Sequence, residues 1–153
     1  MGYVETNILP GEEIVYKASI HWFVFVPGAF LLFIGINLSS LDVEGGTGPV
    51  FGIIAIIIAL FSLVRAAITR ITTELAITSK RVIAKVGLVR RNTVELNHGK
   101  VESFNIDQSI FGRIFGFGTV IVNGTGGGKT PIPNIKSPLQ FRREAMQTID
   151  SSQ

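Results

Sequence analysis

Hydrophobic side chains gather into two blocks near the start of the chain and then recur in short alternating runs. The first block is Ile20–Leu38 (IHWFVFVPGAFLLFIGINL), 19 residues without a charge. At 1.5 Å per residue it reaches about 28 Å, close to the hydrocarbon thickness of a bilayer. The second block is Val50–Val64, followed by Arg65 and then Ala66, Ala67 and Ile68. It is short for a span, but Arg65 can lift its guanidinium toward the headgroups and let the helix run on to Ile68. His21 and Trp22 stand where an interfacial anchor is expected. The pattern predicts a transmembrane helical hairpin over 20–68, with spans at 20–38 and 50–68 joined by the polar loop Ser39–Pro49. A pair of buried helices in a soluble core is the alternative.

Beyond Thr72 the hydrophobic period falls to two, the signature of half-buried strands. Thr73–Thr78 places Leu75 and Ile77 inward, Arg81–Val86 alternates again, and Thr93–Asn97 and Lys100–Asp107 continue the series. Ser79-Lys80 and Gly87 punctuate it, and Asn97-His98-Gly99 reads as a hairpin turn. Thr119–Asn123 is the clearest buried strand. Lys129–Ile135 must be extended, because Pro131 and Pro133 forbid a helix and suit an edge strand. The last element is a helix, with Ser137 as cap, Pro138 at its first position, and Leu139, Phe141, Ala145, Met146 and Ile149 on one face. Ahead of the first block, Leu9–Glu12 reads as a turn and Glu13–Ser19 as a strand able to pair with the later domain. The chain therefore divides into a leader (1–19), a membrane α-helical hairpin (20–68) and a mainly-β domain (71–153). That domain reads as a small β sandwich or barrel closed by a C-terminal helix.

Within the hairpin, Pro27-Gly28 predicts a kink, and Gly28 and Gly35 share a face. Ala55, Ala59, Ser62 and Ala66 form a stripe of small residues of the kind that lets membrane helices approach closely. The stripe serves packing within the hairpin or assembly between copies.

Composition agrees with this division. The chain is 46% hydrophobic and only 16% charged, with a mean hydropathy of +0.44, which fits a chain about one third embedded in lipid. It contains no cysteine, which excludes disulfides, thiolate catalysis and cysteine metal sites. From Ile71 onward eleven Lys and Arg face six Asp and Glu, while the loop between the blocks carries only Asp42 and Glu44. The positive-inside rule then places both termini in the cytoplasm of an integral membrane protein. The first block does not read as a cleavable signal peptide, since no basic segment precedes it.

Two stretches carry a resemblance. Thr73–Val89 (TELAITSKRVIAKVGLV) and Asp107–Val120 (DQSIFGRIFGFGTV) resemble the bacterial pleckstrin-homology-like (PH-like) family. Leu9–Tyr16 (LPGEEIVY), ahead of an aromatic-led block, is similar to members that place a membrane hairpin before the domain. The resemblance implies two packed antiparallel sheets with a C-terminal helix across one open end, located at a bacterial plasma membrane. It implies no enzyme activity, and a role in binding or assembly, with self-association as in related ring-forming domains. Ser79-Lys80-Arg81 is too short for the basic first loop of inositol-phosphate sites, so phosphoinositide binding is not carried over.

Few residues suggest chemistry. Asn123–Thr130 (NGTGGGKT) invites a phosphate-loop reading, but its first glycine is one residue out of place and no helix can follow Lys129. The two histidines are far apart, and no carboxylate spacing suits a metal. The expectation is a protein without catalysis, cofactor, metal, nucleotide or nucleic acid. Arg65, Arg70, Lys80, Arg81, Lys85, Arg90 and Arg91 lie near the second block or in early turns. Each either attracts an anionic leaflet, by about 1 kcal/mol, or only sets topology and solubility. Ile110, Phe111, Ile114 and Phe115 fall on one side of a short helix with Arg113 opposite, as core or as a surface for the membrane or another subunit. The expected partners are membrane lipids and either further copies of the chain or another membrane protein. The expected function is a membrane-anchored, self-associating or adaptor module at the cytoplasmic face. An anionic-lipid sensor and an accessory subunit of a membrane transporter are the alternatives.

Overall fold

The elements run α1 (Tyr3–Thr6), β1 (Ile14–Ala18), a 3-10 turn (Trp22–Phe25), α2 (Val26–Ser39), α3 (Thr47–Thr72), β2 (Glu74–Thr78), β3 (Arg81–Val86), β4 (Asn92–Asn97), a second 3-10 turn (His98–Lys100), β5 (Val101–Asp107), α4 (Ile110–Phe115), β6 (Phe117–Gly124), β7 (Lys129–Lys136) and α5 (Pro138–Ser151). They are those of a computed structural model that describes residues 2–41, 46–87 and 92–152. Two compact units result. Met1–His21 with Arg70–Gln153 forms one, and Trp22–Thr69 the other.

In the first unit two antiparallel sheets, ordered β1-β2-β3-β4 and β5-β6-β7, face each other. The leader is thus the edge strand of the first sheet, with Ala18 opposite Leu75. Leu75 pairs with Ala84 and Ile77 with Val82 on the inward face. Phe104, Val120, Val122, Ile132 and Ile135 complete the core from the second sheet. Among the described residues one isolated bridge, Ile20 to Ile135, links the two sheets, so the unit is a sandwich rather than a closed barrel. The chain passes from β4 to β5 through the 3-10 turn His98–Lys100 without pairing them, which corrects the hairpin expected there. The two strands belong to different sheets.

Helix α5 lies across β1, β2, β5 and β6. Phe141 is fully buried and meets Tyr16 and Phe104 edge-on, with ring centroids 6.0 and 5.8 Å away. The buried residues of α5 are Pro138, Phe141, Ala145 and Ile149, whereas Leu139 and Met146 are exposed, so its apolar face is narrower than the sequence predicts. Ser137 makes no side-chain cap. It adopts a left-handed conformation (φ 48°), and its N–H donates to the Gly116 carbonyl at 2.8 Å.

All of β2 is buried, because its outer face is covered as well. Helix α1 provides that cover, packing Val4 against Ala76 and Ile83 with Tyr3 and Ile14 at the margin.

The second unit consists of the first 3-10 turn, α2 and most of α3. Pro27 lies in the first turn of α2, where a missing N–H costs nothing, so it starts the helix instead of kinking it. A Cβ on Gly28 would sit 2.9 Å from the Leu63 side chain, and one on Gly35 2.9 Å from the Ile56 backbone nitrogen. These contacts run antiparallel, so glycines let the two helices close on each other. Ala59 and Ala66 are buried, and Ala55 and Ser62 half-buried. Phe30, Phe33, Ile53, Ile57 and Phe61 are exposed. Both helical segments, Trp22–Ser39 and Thr47–Thr72, are long and apolar enough to cross a membrane.

Candidate functional site

Charged residues are concentrated on the outer face of the first sheet. The Glu12 side chain has no exposed surface. It accepts from Arg81 Nε at 2.9 Å and Nη2 at 3.0 Å, from the Thr78 hydroxyl at 2.6 Å and from the Leu9 N–H at 2.8 Å. Burial pushes the pKa of this carboxyl up, but the Arg81 bonds, with those from Thr78 and Leu9, outweigh it and hold the pKa at about 2. Hydrogen bonding to Glu12 in turn raises the Arg81 guanidinium above its ordinary value, against burial. Arg81 also donates to Glu95 at 2.5 Å and to the Asn7 carbonyl at 2.7 Å.

Beside it, Glu74 accepts from the N–H groups of Tyr3 (2.7 Å) and Val4 (3.2 Å), the free donors that open α1. Burial opposes ionisation of Glu74. The two backbone bonds and the cations Lys17 and Lys85 nevertheless lower its pKa. This belt ties the leader to β2 and β3. Its members were hidden in the sequence, because the partners are some 70 positions apart and each looks like an ordinary surface charge.

The basic positions singled out by the sequence therefore have different surroundings. Arg81 is engaged by two carboxylates and a carbonyl, and Lys85 by Glu74 and the Tyr3 ring. Lys80 is exposed and its Nζ donates to the Pro10 carbonyl at 3.2 Å. Arg65 and Arg70 are exposed on α3. Arg90 and Arg91 lie outside the described residues.

A second feature forms around α4. Ser109 Oγ caps the helix by accepting from the Gly112 N–H at 3.1 Å. Gly116 ends it in a left-handed conformation, φ +76°. Gln108 Nε2 donates to the Phe117 carbonyl at 2.9 Å, and a Cβ on Gly112 would meet that same carbonyl at 2.6 Å. The helix is thus locked against the start of β6 through its glycine backbone. Its large side chains are left outside, with Ile110 78%, Phe111 63%, Ile114 70% and Phe115 46% exposed. The segment is a surface, not core. Next to it the His21 ring stacks on Phe117, centroids 5.4 Å apart.

The glycine-rich stretch is the β6–β7 hairpin, followed by a strand and no helix. It borders a cavity of about 460 Å³ against Val94, Leu96 and Lys100. A smaller one of about 230 Å³ is lined by Ser103, Asn105 and Asn123. Asn123 Nδ2 donates to Ser103 at 2.9 Å.

The family model described as Bacterial PH domain matches residues 23–148, which takes in both apolar helices and everything from β2 nearly to the end of α5. No curated protein and no solved structure matches the chain. The match covers well over half of the sequence, and the two antiparallel sheets with their C-terminal helix agree with it: this chain belongs to the bacterial PH domain family.

Proposed function

We propose that the protein is a membrane-anchored PH module that binds a protein partner or further copies of itself, without a catalytic step. On this reading α2 and α3 are a transmembrane hairpin, and the PH unit lies at the cytoplasmic face with both termini. The observation that carries the reading is the pairing of β1 with β2 on either side of the two apolar helices. Strands that share hydrogen bonds lie on the same side of a membrane, so the chain between them must cross it an even number of times. Two helices of spanning length occupy that interval. Their outward faces carry exposed Phe and Ile, whereas helices of a soluble core bury such residues. The excess of Lys and Arg after α3 supports the cytoplasmic side.

A binding role is the general expectation for a PH module. The belt around Glu12 and Glu74 favours it over headgroup sensing, because Arg81, Lys85 and Lys17 already face carboxylates.

The topology is tested on the full chain in sealed inverted membrane vesicles, with single cysteines introduced at Thr6, Leu41 and Gln147. The sequence has no native cysteine. A membrane-impermeant maleimide is expected to label positions 6 and 147 but not 41. Labelling of 41 together with either of the others would remove the hairpin reading.

A further inference from the structure

We infer that α4 is a second, shallow membrane contact. Ile110, Phe111, Ile114 and Phe115 press into the headgroup–acyl boundary of the bilayer entered by the apolar helices. The inference rests on the hairpin reading and adds a lipid-facing surface to the PH unit itself.

Backbone geometry places α4 beside the point where the chain leaves this unit. Lys136 N–H donates to the Ser19 carbonyl at 2.9 Å, and the next residue, Ser137, donates to the Gly116 carbonyl at 2.8 Å. The end of β1 and the end of α4 are therefore held by two consecutive residues, the last of β7 and the one that joins it to α5. The stack of His21 on Phe117 and the bond from His21 N–H to the Asn134 carbonyl at 2.7 Å tie the same corner again. Trp22, the next residue, opens the apolar segment. On the hairpin reading His21 is at the bilayer boundary, since consecutive Cα atoms are only about 3.8 Å apart. A six-residue helix is about 9 Å long, so all of α4 lies within roughly 15 Å of that boundary.

Chemistry selects the occupant. Four adjoining Ile and Phe side chains, each between 46% and 78% exposed, offer roughly 500 Å² of mostly apolar surface, as large as the biggest patch usual on a soluble monomer. Arg113 is exposed on the other side of the helix, as on helices that lie in a membrane interface with a charged face toward water and lipid headgroups. The rigid caps at Ser109 and Gly116 hold the patch in place, so insertion requires little further ordering.

The test uses the full-length chain in phosphatidylethanolamine–phosphatidylglycerol vesicles. Single cysteines replace Ile110, Ile114, Ile57 or Lys129 and carry an environment-sensitive fluorophore. Lipids bear a nitroxide either high on the acyl chain or near its end. Loss of emission at 110 and 114 to the shallow nitroxide, with none at 129, is the expected result. Position 129 serves as the control because it follows the far end of β6, about 26 Å from α4. Position 57 should be quenched by the deep nitroxide. If 57 is quenched and both 110 and 114 keep their emission, the α4 contact is wrong and the hairpin stands. Emission at 110 and 114 that ignores both nitroxides but self-quenches as protein is concentrated assigns the patch to a second copy and also overturns it. If 57 ignores both nitroxides, hairpin and α4 contact fall together.

Discussion

Glu12→Gln removes the carboxylate at the centre of the belt that fastens the leader to the first sheet. The folded state holds this carboxyl at about 2, against an ordinary value of 4.5. That depression corresponds to about 3 kcal/mol in favour of the folded state. Because the folded pKa lies below the unfolded one, the contribution is complete above about pH 4.5. It is lost as the pH falls from there toward 2. At pH 7 the Gln variant therefore forfeits about 3 kcal/mol, which for a domain of this size lowers the melting temperature by about 12–20 °C.

Arg81→Met is the harsher change. Among the described residues it leaves buried Glu12 only the Thr78 hydroxyl and Leu9 N–H as partners, at a cost of about 3–5 kcal/mol. Gln at position 12, by contrast, leaves Arg81 with Glu95 and the Asn7 carbonyl. The double variant should melt close to Arg81→Met alone, since the second change removes the charge that the first one strands. The assay is thermal unfolding of the full chain in mild detergent, followed by circular dichroism in the β region between pH 7 and pH 2. Wild type should lose stability steeply below about pH 4.5, and Glu12→Gln less steeply, its remaining slope coming from Glu74 and Glu5. A Gln variant melting within about 2 °C of wild type at pH 7 would refute the reasoning. So would strictly additive costs of the two substitutions.

Two further substitutions probe packing. Gly35→Val places a side chain against the Ile56 backbone and should lower the stability of the helical signal in detergent by about 1–3 kcal/mol. Ala67→Val, on the exposed side of α3, should change it by less than about 0.5 kcal/mol. Phe141→Ala empties the site between Tyr16 and Phe104 and should cost the PH unit about 3–5 kcal/mol. Leu139→Ala, two residues earlier on exposed helix, should again cost less than about 0.5 kcal/mol. Equal effects at 139 and 141 would contradict the narrow face assigned to α5.

Period and punctuation made the strands legible. Leu75 and Ile77, then Val82 and Ala84, alternate cleanly because one face of each strand is sealed in the sandwich. Pro131 and Pro133 marked an edge strand, and β7 is the end strand of its sheet, beside β6, with Ser19–His21 meeting its other side at Asn134–Lys136, beyond the two prolines. What the pattern could not show depends on distant partners. Helix α1 is four residues long, too short for a periodic signal, and exists because Glu74 holds its first N–H groups. Ser137 looked like a cap by residue type, but its N–H is needed by Gly116, and that bond sets the backbone. In SIFGRIFGF the sequence offered core first and surface as the alternative. The deciding residue is Gly112, whose bare backbone presses on Phe117 and turns the large side chains outward.

On the membrane reading, the hairpin and the sheet impose one constraint on each other. Ala18 faces Leu75 across the β1–β2 ladder, so the chain must leave the PH unit and return to nearly the same place. An antiparallel helix pair does this. Gly28 lies against Leu63 near the open end, and Gly35 against Ile56 further along, so outgoing and returning strokes stay in register. Closing a long connection of unstructured chain would cost entropy that grows with its length. A rigid hairpin shortens the effective connection to the few residues outside its helices. It follows that packing between α2 and α3 contributes to the alignment of β1 on β2, although no residue of the glycine face belongs to the sheet. Widening the hairpin at Gly35 should then loosen the β1 edge. Faster amide exchange at Val15–Ala18 in Gly35→Val, with β6 unchanged, is the expected sign of that coupling. Unchanged exchange along β1 would show that the belt around Glu12 and Glu74 fixes the leader without help from the helices.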